Sequence, residues 1–296
     1  MPCPLLPLEL LVLIIDNVDS SSEEGRQSLR NLSLANNALR SICQERLFRT
    51  VELYYVTSID VRDGTTLLFS EDEDNTGRRF LDTLARSPHI GPFVRYLEIT
   101  TLQLDPMEFT PPPKSNSESA SFSLYSIVPA LPNLKGFSVS KRPPFWGYAV
   151  GEQMEACLSS LASFVTQLEL SSLPTLPTSI FSGCRNLRDL SVSSLELGEG
   201  DITSRDSMQK VKLRKLELGF CFPADVFATT CFNTPQSPLD ISELRSLSLS
   251  PIRFLYTTSL NVWLPLCFSA LEHLKFAINF RSMFRVYSPP LDLILK

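Results

Sequence analysis

The sequence predicts an α/β fold in which a short all-α N-terminal segment precedes a solenoid of repeated strand, turn and helix units. Two observations predict this architecture. A triplet of large apolar residues with one fixed spacing recurs between residues 94 and 276, whereas residues 1–50 lack the triplet and space their apolar residues at helical intervals. The composition, 43% hydrophobic and 20% charged, is that of an ordinary folded protein.

The first helix is predicted around residues 6–15. Leu6, Leu10 and Ile14 recur at four-residue steps along one side, and Pro7 suits the first turn of a helix. Apolar residues also cover most of the remaining circumference. Because such a helix must be covered on two sides, we expect it to contact both its own domain and a partner.

A second helical stretch is predicted to begin at Ser20 and Ser21, which precede Glu23 and Glu24 at capping-box spacing. Apolar residues then continue at helical steps and predict two short helices. Residues 47–53 follow as a predicted first strand that joins the helices to the repeats. An alternative function for the helices is an end cap over the first apolar edge of the solenoid, and the two functions are compatible.

The repeated triplet has the spacing L-x-x-L-x-L, and its starts lie 22 to 40 residues apart. Its seven copies are Val94/Leu97/Ile99, Leu134/Phe137/Val139, Val165/Leu168/Leu170, Leu187/Leu190/Val192, Leu213/Leu216/Leu218, Leu244/Leu247/Leu249 and Leu271/Leu274/Phe276. This pattern is typical of degenerate leucine-rich repeats, whose period is about 20–29 residues. We therefore predict parallel strands on a concave face, with helices and loops outside.

The segments between and after the triplets complete the prediction. Short helices are expected at residues 78–87 and 177–184, and a Pro- and Ser-rich insertion at residues 105–121 is expected to be a flexible loop. Near the C-terminus, a last apolar turn is predicted with Leu291, Leu293, Ile294 and Leu295. Either this turn is a makeshift cap or the chain is a shortened member of its repeat family. The predicted domains are 1–50, helical, and 51–296, the repeats.

Strand positions that flank the buried apolar residues point to the concave face, which is the usual recognition surface of such folds. The predicted target-binding residues on this face are Tyr96, Glu98, Gln167, Glu169, Asp189, Lys215, Glu217, His273 and Lys275. For any single one of them, an alternative is a solvated position that binds nothing in particular.

Composition excludes several function classes. The formal net charge of −5 and the pI of about 5.2 disfavour a nucleic-acid or anionic-membrane surface, and no window approaches the ~20 apolar residues of a membrane helix. The seven cysteines lack zinc-like spacing and indicate reduced thiols in the cytoplasm or nucleus. With two histidines and no phosphate-binding glycine motif, the sequence predicts no enzyme, no cofactor and no metal site.

The N-terminal segment resembles an F-box. The resemblance rests on Leu6-Pro7-x-Glu9-Leu10-x-x-x-Ile14-Ile15, on Leu29-x-x-Leu32-Ser33-Leu34-Ala35-Asn36-x-x-Leu39-Arg40 and on Leu47-Phe48-Arg49-Thr50-Val51. The stretch from Ser87 to Ile99 is similar to the first repeat of fungal F-box proteins with leucine-rich repeats. Asn36 and Leu39 stand where F-boxes commonly carry Cys and Trp.

This resemblance implies a non-catalytic adaptor of an SCF-type E3 ubiquitin ligase. Its helical segment would bind the Skp-type adaptor of the cullin ligase core, and its repeats would bind a protein target. The implied adaptor-binding residues are Leu6, Pro7, Leu10, Ile14, Leu34 and Leu39. The alternative is a leucine-rich-repeat protein-interaction scaffold that is not linked to ubiquitination.

Overall fold

A computed structural model gives the fold of this chain. The residues it describes are 7–59, 67–69, 76–103, 127–141, 158–173, 176–177, 179–194, 197–198, 210–219, 231–232, 237–252, 264–278 and 291–295. They form a mixed α/β structure in which an N-terminal helical segment precedes a sheet of mostly parallel strands. The predicted insertion at 105–121 lies outside the described residues.

The helical segment consists of α1 (Leu8–Asp16), α2 (Glu23–Ala35) and α3 (Asn37–Phe48). The prediction that α2 starts at Ser20 or Ser21 is wrong, because Ser22 is the N-cap and its Oγ accepts the Gly25 N–H at 3.1 Å. Ser21 instead donates its backbone N–H and its hydroxyl to the Asp19 carboxylate. These bonds hold the chain in a local turn before the helix begins.

Asn36 separates α2 from α3. Its backbone is extended, at φ −146° and ψ 123°, which ends α2, and its side chain accepts the Ala38 N–H at 2.8 Å, which caps α3. Asparagine is among the best N-cap residues because its short amide reaches the first orphan N–H groups of a helix. Asn36 thus has a structural function at the junction of the two helices.

The remaining elements alternate strands with short helices. In chain order they are β1 (Thr50–Ile59), β2 (Leu67–Phe69), α4 (Thr76–Arg86), β3 (Tyr96–Gln103), β4 (Gly136–Lys141), β5 (Gln167–Ser171), β6 (Leu176–Pro177), β7 (Asp189–Ser193), β8 (Leu197–Gly198), β9 (Val211–Lys212), β10 (Lys215–Leu218), β11 (Leu239–Asp240), β12 (Ser246–Ile252), β13 (His273–Ile278) and β14 (Leu291–Leu295). Helix α4 ends before Pro88, as its pattern predicts. A short helix, Ser179–Gly183, lies within the second predicted helical stretch.

The main sheet contains ten of these strands, in the order β14-β13-β12-β10-β7-β5-β4-β3-β1-β2. Pairing is parallel from β1 to β13 and antiparallel only where β2 and β14 join the two ends. Two smaller parallel pairs, β6 with β8 and β9 with β11, lie outside this sheet.

The apolar triplets align in register across the parallel strands. One row of paired positions is Val51, Leu97, Phe137, Leu168, Leu190, Leu216, Leu247 and Leu274. A second row, two residues further along each strand, starts at Leu53 and Ile99. Phe48, Val51 and Leu53 have the triplet spacing too, and this copy was not recognised in the sequence because α3 runs into it.

The same pair of backbone hydrogen bonds recurs between adjacent parallel strands. The carbonyl of the residue before a strand accepts two N–H groups at the start of the next strand: the Arg188 carbonyl accepts those of Arg214 and Lys215 at 2.7 and 3.0 Å, and the Arg214 carbonyl accepts those of Arg245 and Ser246 at 2.8 and 3.0 Å. Equivalent pairs occur at the carbonyls of Arg49, Arg95, Lys135, Thr166 and Arg245. The start of each strand is therefore fixed relative to its neighbours.

The described apolar side chains form two cores. The larger lies under one face of the sheet and includes both triplet rows from β1 to β12. The smaller lies between α1, α2 and α3 and is built on Ile15, Leu29, Leu39 and Cys43. Helix α3 contacts the 3₁₀ helix Pro88–Phe93, which precedes β3.

The C-terminal residues correct a prediction. Leu291–Leu295 forms β14, not a last turn, and pairs antiparallel with β13 from Leu274↔Leu295 to Ile278↔Leu291. A strand at this position satisfies the outer backbone N–H and C=O groups of β13, which a turn would leave unpaired.

Candidate functional site

The first candidate surface is the outer side of α1. Leu10, Leu13 and Ile14 are 48%, 59% and 52% exposed, whereas the next residue, Ile15, is 1% exposed and belongs to the smaller core. Positions i, i+3 and i+4 lie on one side of a helix, so these three side chains form a continuous apolar strip. Pro7, also predicted as a contact, is exposed directly before the helix.

The other three predicted adaptor contacts, Leu34, Leu39 and Leu6, differ in their positions in the structure. Leu34, near the end of α2, is 79% exposed. The assignment of Leu39 as a surface contact is wrong, because Leu39 is 4% exposed and packs with Ile15, Leu29 and Cys43 in the smaller core. Leu6 lies outside the described residues. Leu13 was missing from the predicted contacts, although its three-residue distance from Leu10 places it on the same strip.

The second candidate surface is the sheet face that points away from the larger core, here called the open face. Burial alternates along its strands, so that in β5 the side chains of Leu168 and Leu170 are buried and those of Gln167 and Glu169 are not. Because the strands are in register, equivalent positions align into rows. The first row is Thr50, Tyr96, Gly136, Gln167, Asp189, Lys215, Ser246 and His273, and the second is Glu52, Glu98, Ser138, Glu169, Ser191, Glu217, Ser248 and Lys275.

All nine predicted target-binding residues thus lie in two adjacent rows. Seven of them line one open cleft of about 440 Å³ over β3 to β10, namely Tyr96, Glu98, Gln167, Glu169, Asp189, Lys215 and Glu217. The other two, His273 and Lys275, are exposed on β13, two strands beyond β10, and are not part of the cleft lining.

Glycine at position 136 determines the shape of one wall of this cleft. A Cβ added to Gly136 would lie 2.4 Å from Cδ1 of Tyr96, so the tyrosine ring occupies the space that any other side chain would need. Beside it, the Gln167 amide donates to Asp189 Oδ2 at 3.0 Å. The first row is therefore held by a ring packed over a glycine and by a cross-strand hydrogen bond.

The second row carries an excess of negative charge. Desolvation, followed by the nearby carboxylates of Glu52 and Glu169, raises the pKa of Glu98 above its ordinary value. Ser138 and Ser191 alternate with the glutamates, so small hydroxyls separate the charges. Lys215 lies 3.9 Å from the Glu217 carboxylate, at the C-terminal side of the cleft.

Glu52 was not predicted as a site residue. It enters the second row because β1 pairs in register with β3, which sets Glu52 opposite Glu98. The signal for it was the copy of the triplet at Phe48, Val51 and Leu53, since Glu52 lies between its last two apolar positions.

A third row, also missed, lies where the strands begin and is called the rim here. It consists of the residues directly before the parallel strands, namely Arg49, Arg95, Lys135, Thr166, Arg188, Arg214, Arg245 and Glu272. Six of these eight residues are basic. The signal in the sequence was the residue directly after the first apolar residue of each triplet, which is Lys or Arg in five of the seven predicted copies.

The described cysteines offer no nucleophile. Cys43, Cys184, Cys231 and Cys267 are buried and free, and burial raises the pKa of Cys184 and of Cys231 to about 12. A thiol with such a pKa stays protonated near neutral pH and is unreactive. Among the described residues, no three His, Cys, Asp or Glu side chains are grouped so as to hold a metal ion.

These observations define the class of molecule: a mixed α/β protein with an exposed apolar helix at one end and a charged, open sheet face. No family model, curated protein or solved structure matches the chain. Within the described part of the chain, no helix has the length and hydrophobicity needed to cross a membrane.

Proposed function

We propose that this chain is a non-catalytic substrate-recognition adaptor of an SCF-type E3 ubiquitin ligase, located in the cytoplasm or nucleus. In this proposal the helical segment is an F-box that binds the Skp-type adaptor of the cullin ligase core. The parallel units form a leucine-rich-repeat solenoid, and their open face binds the target protein.

The observation that carries this proposal is the strip of Leu10, Leu13 and Ile14 on α1. A nine-residue helix that packs Ile15 into its own core leaves three large aliphatic side chains about half exposed. Clustered apolar exposure of this kind marks protein interaction sites, because monomeric proteins rarely leave such patches in water. An interface there would bury the strip and leave the sheet face accessible.

The sheet supports the second half of the proposal. Its parallel strands repeat the same register and the same backbone contact, which is the regularity that a stack of solenoid units would have. The open face then presents two rows of mostly polar side chains. Holding a target there while α1 is bound to the ligase core raises the effective concentration of the target, and no catalytic group is required.

Co-purification of the full chain with the Skp-type adaptor tests the proposal. We expect the wild-type chain to bind, and the double variant Leu10→Asp/Ile14→Asp to lose at least about tenfold in affinity, because interface energy concentrates in a few buried side chains. The matched control is Leu266→Asp/Phe268→Asp, which places the same charges on two exposed apolar side chains far along the sequence.

The control should bind as tightly as wild type. Equal loss of affinity in both double variants would mean that the added charge acts through solubility or folding, which contradicts the assigned surface. A folded wild-type chain that fails to bind the adaptor would favour the alternative, a leucine-rich-repeat scaffold without a link to ubiquitination.

A further inference from the structure

The rim is a linear array of cations. Lys135, Arg188, Arg214 and Arg245 precede β4, β7, β10 and β12, and neighbouring strands in a sheet lie about 4.8 Å apart. From β4 to β12 there are four strand steps, so these side chains start along a line of roughly 19 Å. Their backbones are fixed by the repeated carbonyl contact, which makes the spacing of the array a property of the fold.

The middle of this array is not neutralised by the described residues. Lys135, Arg188 and Arg214 are exposed, and the ion pairs of the described chain do not include them. Among the ion pairs of the described residues, one involves the rim, at its far end, where Arg245 lies 3.3 Å from the Glu272 carboxylate. A chain of net charge −5 therefore gathers positive charge along one line.

The neighbouring rows decide which anion fits. The second row of the open face, only three residues further along each strand, carries the carboxylates of Glu98, Glu169 and Glu217. A nucleic acid is negative along its whole width and would bring phosphates against these glutamates. A single extended polypeptide is narrow, so it can place carboxylates on the rim and turn other side chains toward the glutamates.

We propose that an extended acidic segment of the target protein lies along the rim and pairs its Asp or Glu side chains with Lys135, Arg188 and Arg214. The proposal rests on the target-binding function proposed for the sheet. Arginine suits this use because its guanidinium forms two parallel hydrogen bonds to a carboxylate. Lys135 and Arg214 are three strand steps apart, or about 14 Å. Side chains on one side of an extended strand repeat about every 6.8 Å, so roughly five residues with acidic side chains at alternate positions cover this distance.

The test measures binding of labelled peptides to the full chain by fluorescence anisotropy. Three twelve-residue peptides alternate serine with glutamate, with glutamine or with lysine, and a twelve-nucleotide oligothymidylate provides a second polyanion. The rim variant is Lys135→Gln/Arg188→Gln/Arg214→Gln. The matched control, Arg40→Gln/Arg79→Gln/Arg86→Gln, removes the same three charges from exposed positions on α3 and α4.

The proposal expects the glutamate peptide alone to bind, at least tenfold weaker binding by the rim variant, and unchanged binding by the control. Lys135→Arg, Arg188→Lys and Arg214→Lys combined keeps the three charges but loses two bidentate guanidinium groups, so it should bind more tightly than the rim variant. That difference would show that the rim variant fails through lost charge and not through misfolding. Equal weakening of the control, equal binding of the glutamine peptide, absence of glutamate-peptide binding, or tighter binding of the oligonucleotide would overturn the proposal. The adaptor co-purification tests the surface of α1, whereas the peptide assay tests the rim. Either the adaptor-binding proposal or the rim proposal can therefore fail while the other stands.

Discussion

The helical segment and the sheet use apolar residues in different ways. In the sheet, the triplet residues from β3 to β12 are buried against neighbouring layers, and the polar side chains face solvent. Among the apolar side chains that the structure describes in the helical segment, Ile15, Leu29, Leu39 and Cys43 are buried, while Leu10, Leu13, Ile14 and Leu34 are exposed. Apolar residues of the sheet therefore stabilise the fold, whereas many of those on the helices remain available for association.

This difference has a geometric origin. An inner strand of a parallel sheet has neighbours on both sides, so an inward side chain such as Leu190 lies between equivalent side chains of the adjacent strands. Three short helices have no such translation symmetry, and a helix that is apolar around most of its circumference can bury only one side in a small bundle. The exposed strip on α1 is the apolar side of the helix that the small bundle leaves unburied.

The largest effect is expected from truncation in the sheet. Leu216 is fully buried between Leu190 and Leu247 of the two adjacent strands. Leu216→Ala should therefore lower the free energy of unfolding by about 2–5 kcal/mol, because apolar burial is lost and a cavity is left behind. Urea unfolding followed by far-UV circular dichroism measures the change.

Leu34→Ala is the matched control, since it removes the same atoms from a side chain that is mostly in water. Its effect should stay within about 0.5 kcal/mol. A loss below about 1 kcal/mol for Leu216→Ala would contradict the burial of Leu216 in the sheet core. A loss above about 1 kcal/mol for Leu34→Ala would contradict the exposure of Leu34 on α2.

A smaller effect is expected from the same truncation in the helical core. Leu29→Ala should cost about 2–3 kcal/mol, near the lower end for buried leucine, because a small bundle can collapse around the missing atoms. Hydrogen exchange sharpens the comparison: faster exchange should be confined to α1, α2 and α3, with β5 to β12 unchanged. Equal acceleration in the strands would show that the two cores unfold as one.

The sheet register could be predicted from the sequence because it follows from one local rule. Any two triplets that share the L-x-x-L-x-L spacing and pair as parallel strands must align their apolar positions, or one strand would turn its leucines to water. Leu190 and Leu216 therefore align without knowledge of the rest. The nine residues of the open face follow from the same rule, since they are the positions between the buried ones.

The remaining features depend on contacts between distant segments, which a local rule does not contain. The position of Leu39 in the sequence fits either a residue exposed to a partner or a residue of the core. The packing of α3 against Ile15 and Leu29 places it in the core. Residues 291–295 form a strand because β13 offers an open edge, and that edge belongs to a segment outside their own short sequence. The rim was visible as Lys or Arg at one repeat position, but its charges form a line only once the layers stack.

The smallest effect concerns the charge of the open face. The pKa of Glu98 is raised by desolvation and by Glu52 and Glu169, so the folded state holds this proton more tightly than the unfolded state does. Stability then falls as pH rises from the ordinary glutamate pKa through the raised one, and stays lower at neutral pH. Glu98→Gln removes the charge and should stabilise the fold at pH 7 by less than about 1 kcal/mol, since a partly exposed charge is screened by water.

The pH dependence separates this cause from a packing effect. The advantage of Glu98→Gln over wild type should shrink as pH falls and vanish below the ordinary glutamate pKa, about 4.3, where wild-type Glu98 is protonated too. Glu45→Gln, at an exposed position on α3 in the other region, should leave stability unchanged at pH 7. Urea unfolding at several pH values checks both variants, and a Glu98→Gln chain that is less stable than wild type at pH 7 would mean that the carboxylates of the second row are compensated by a cation of the protein itself.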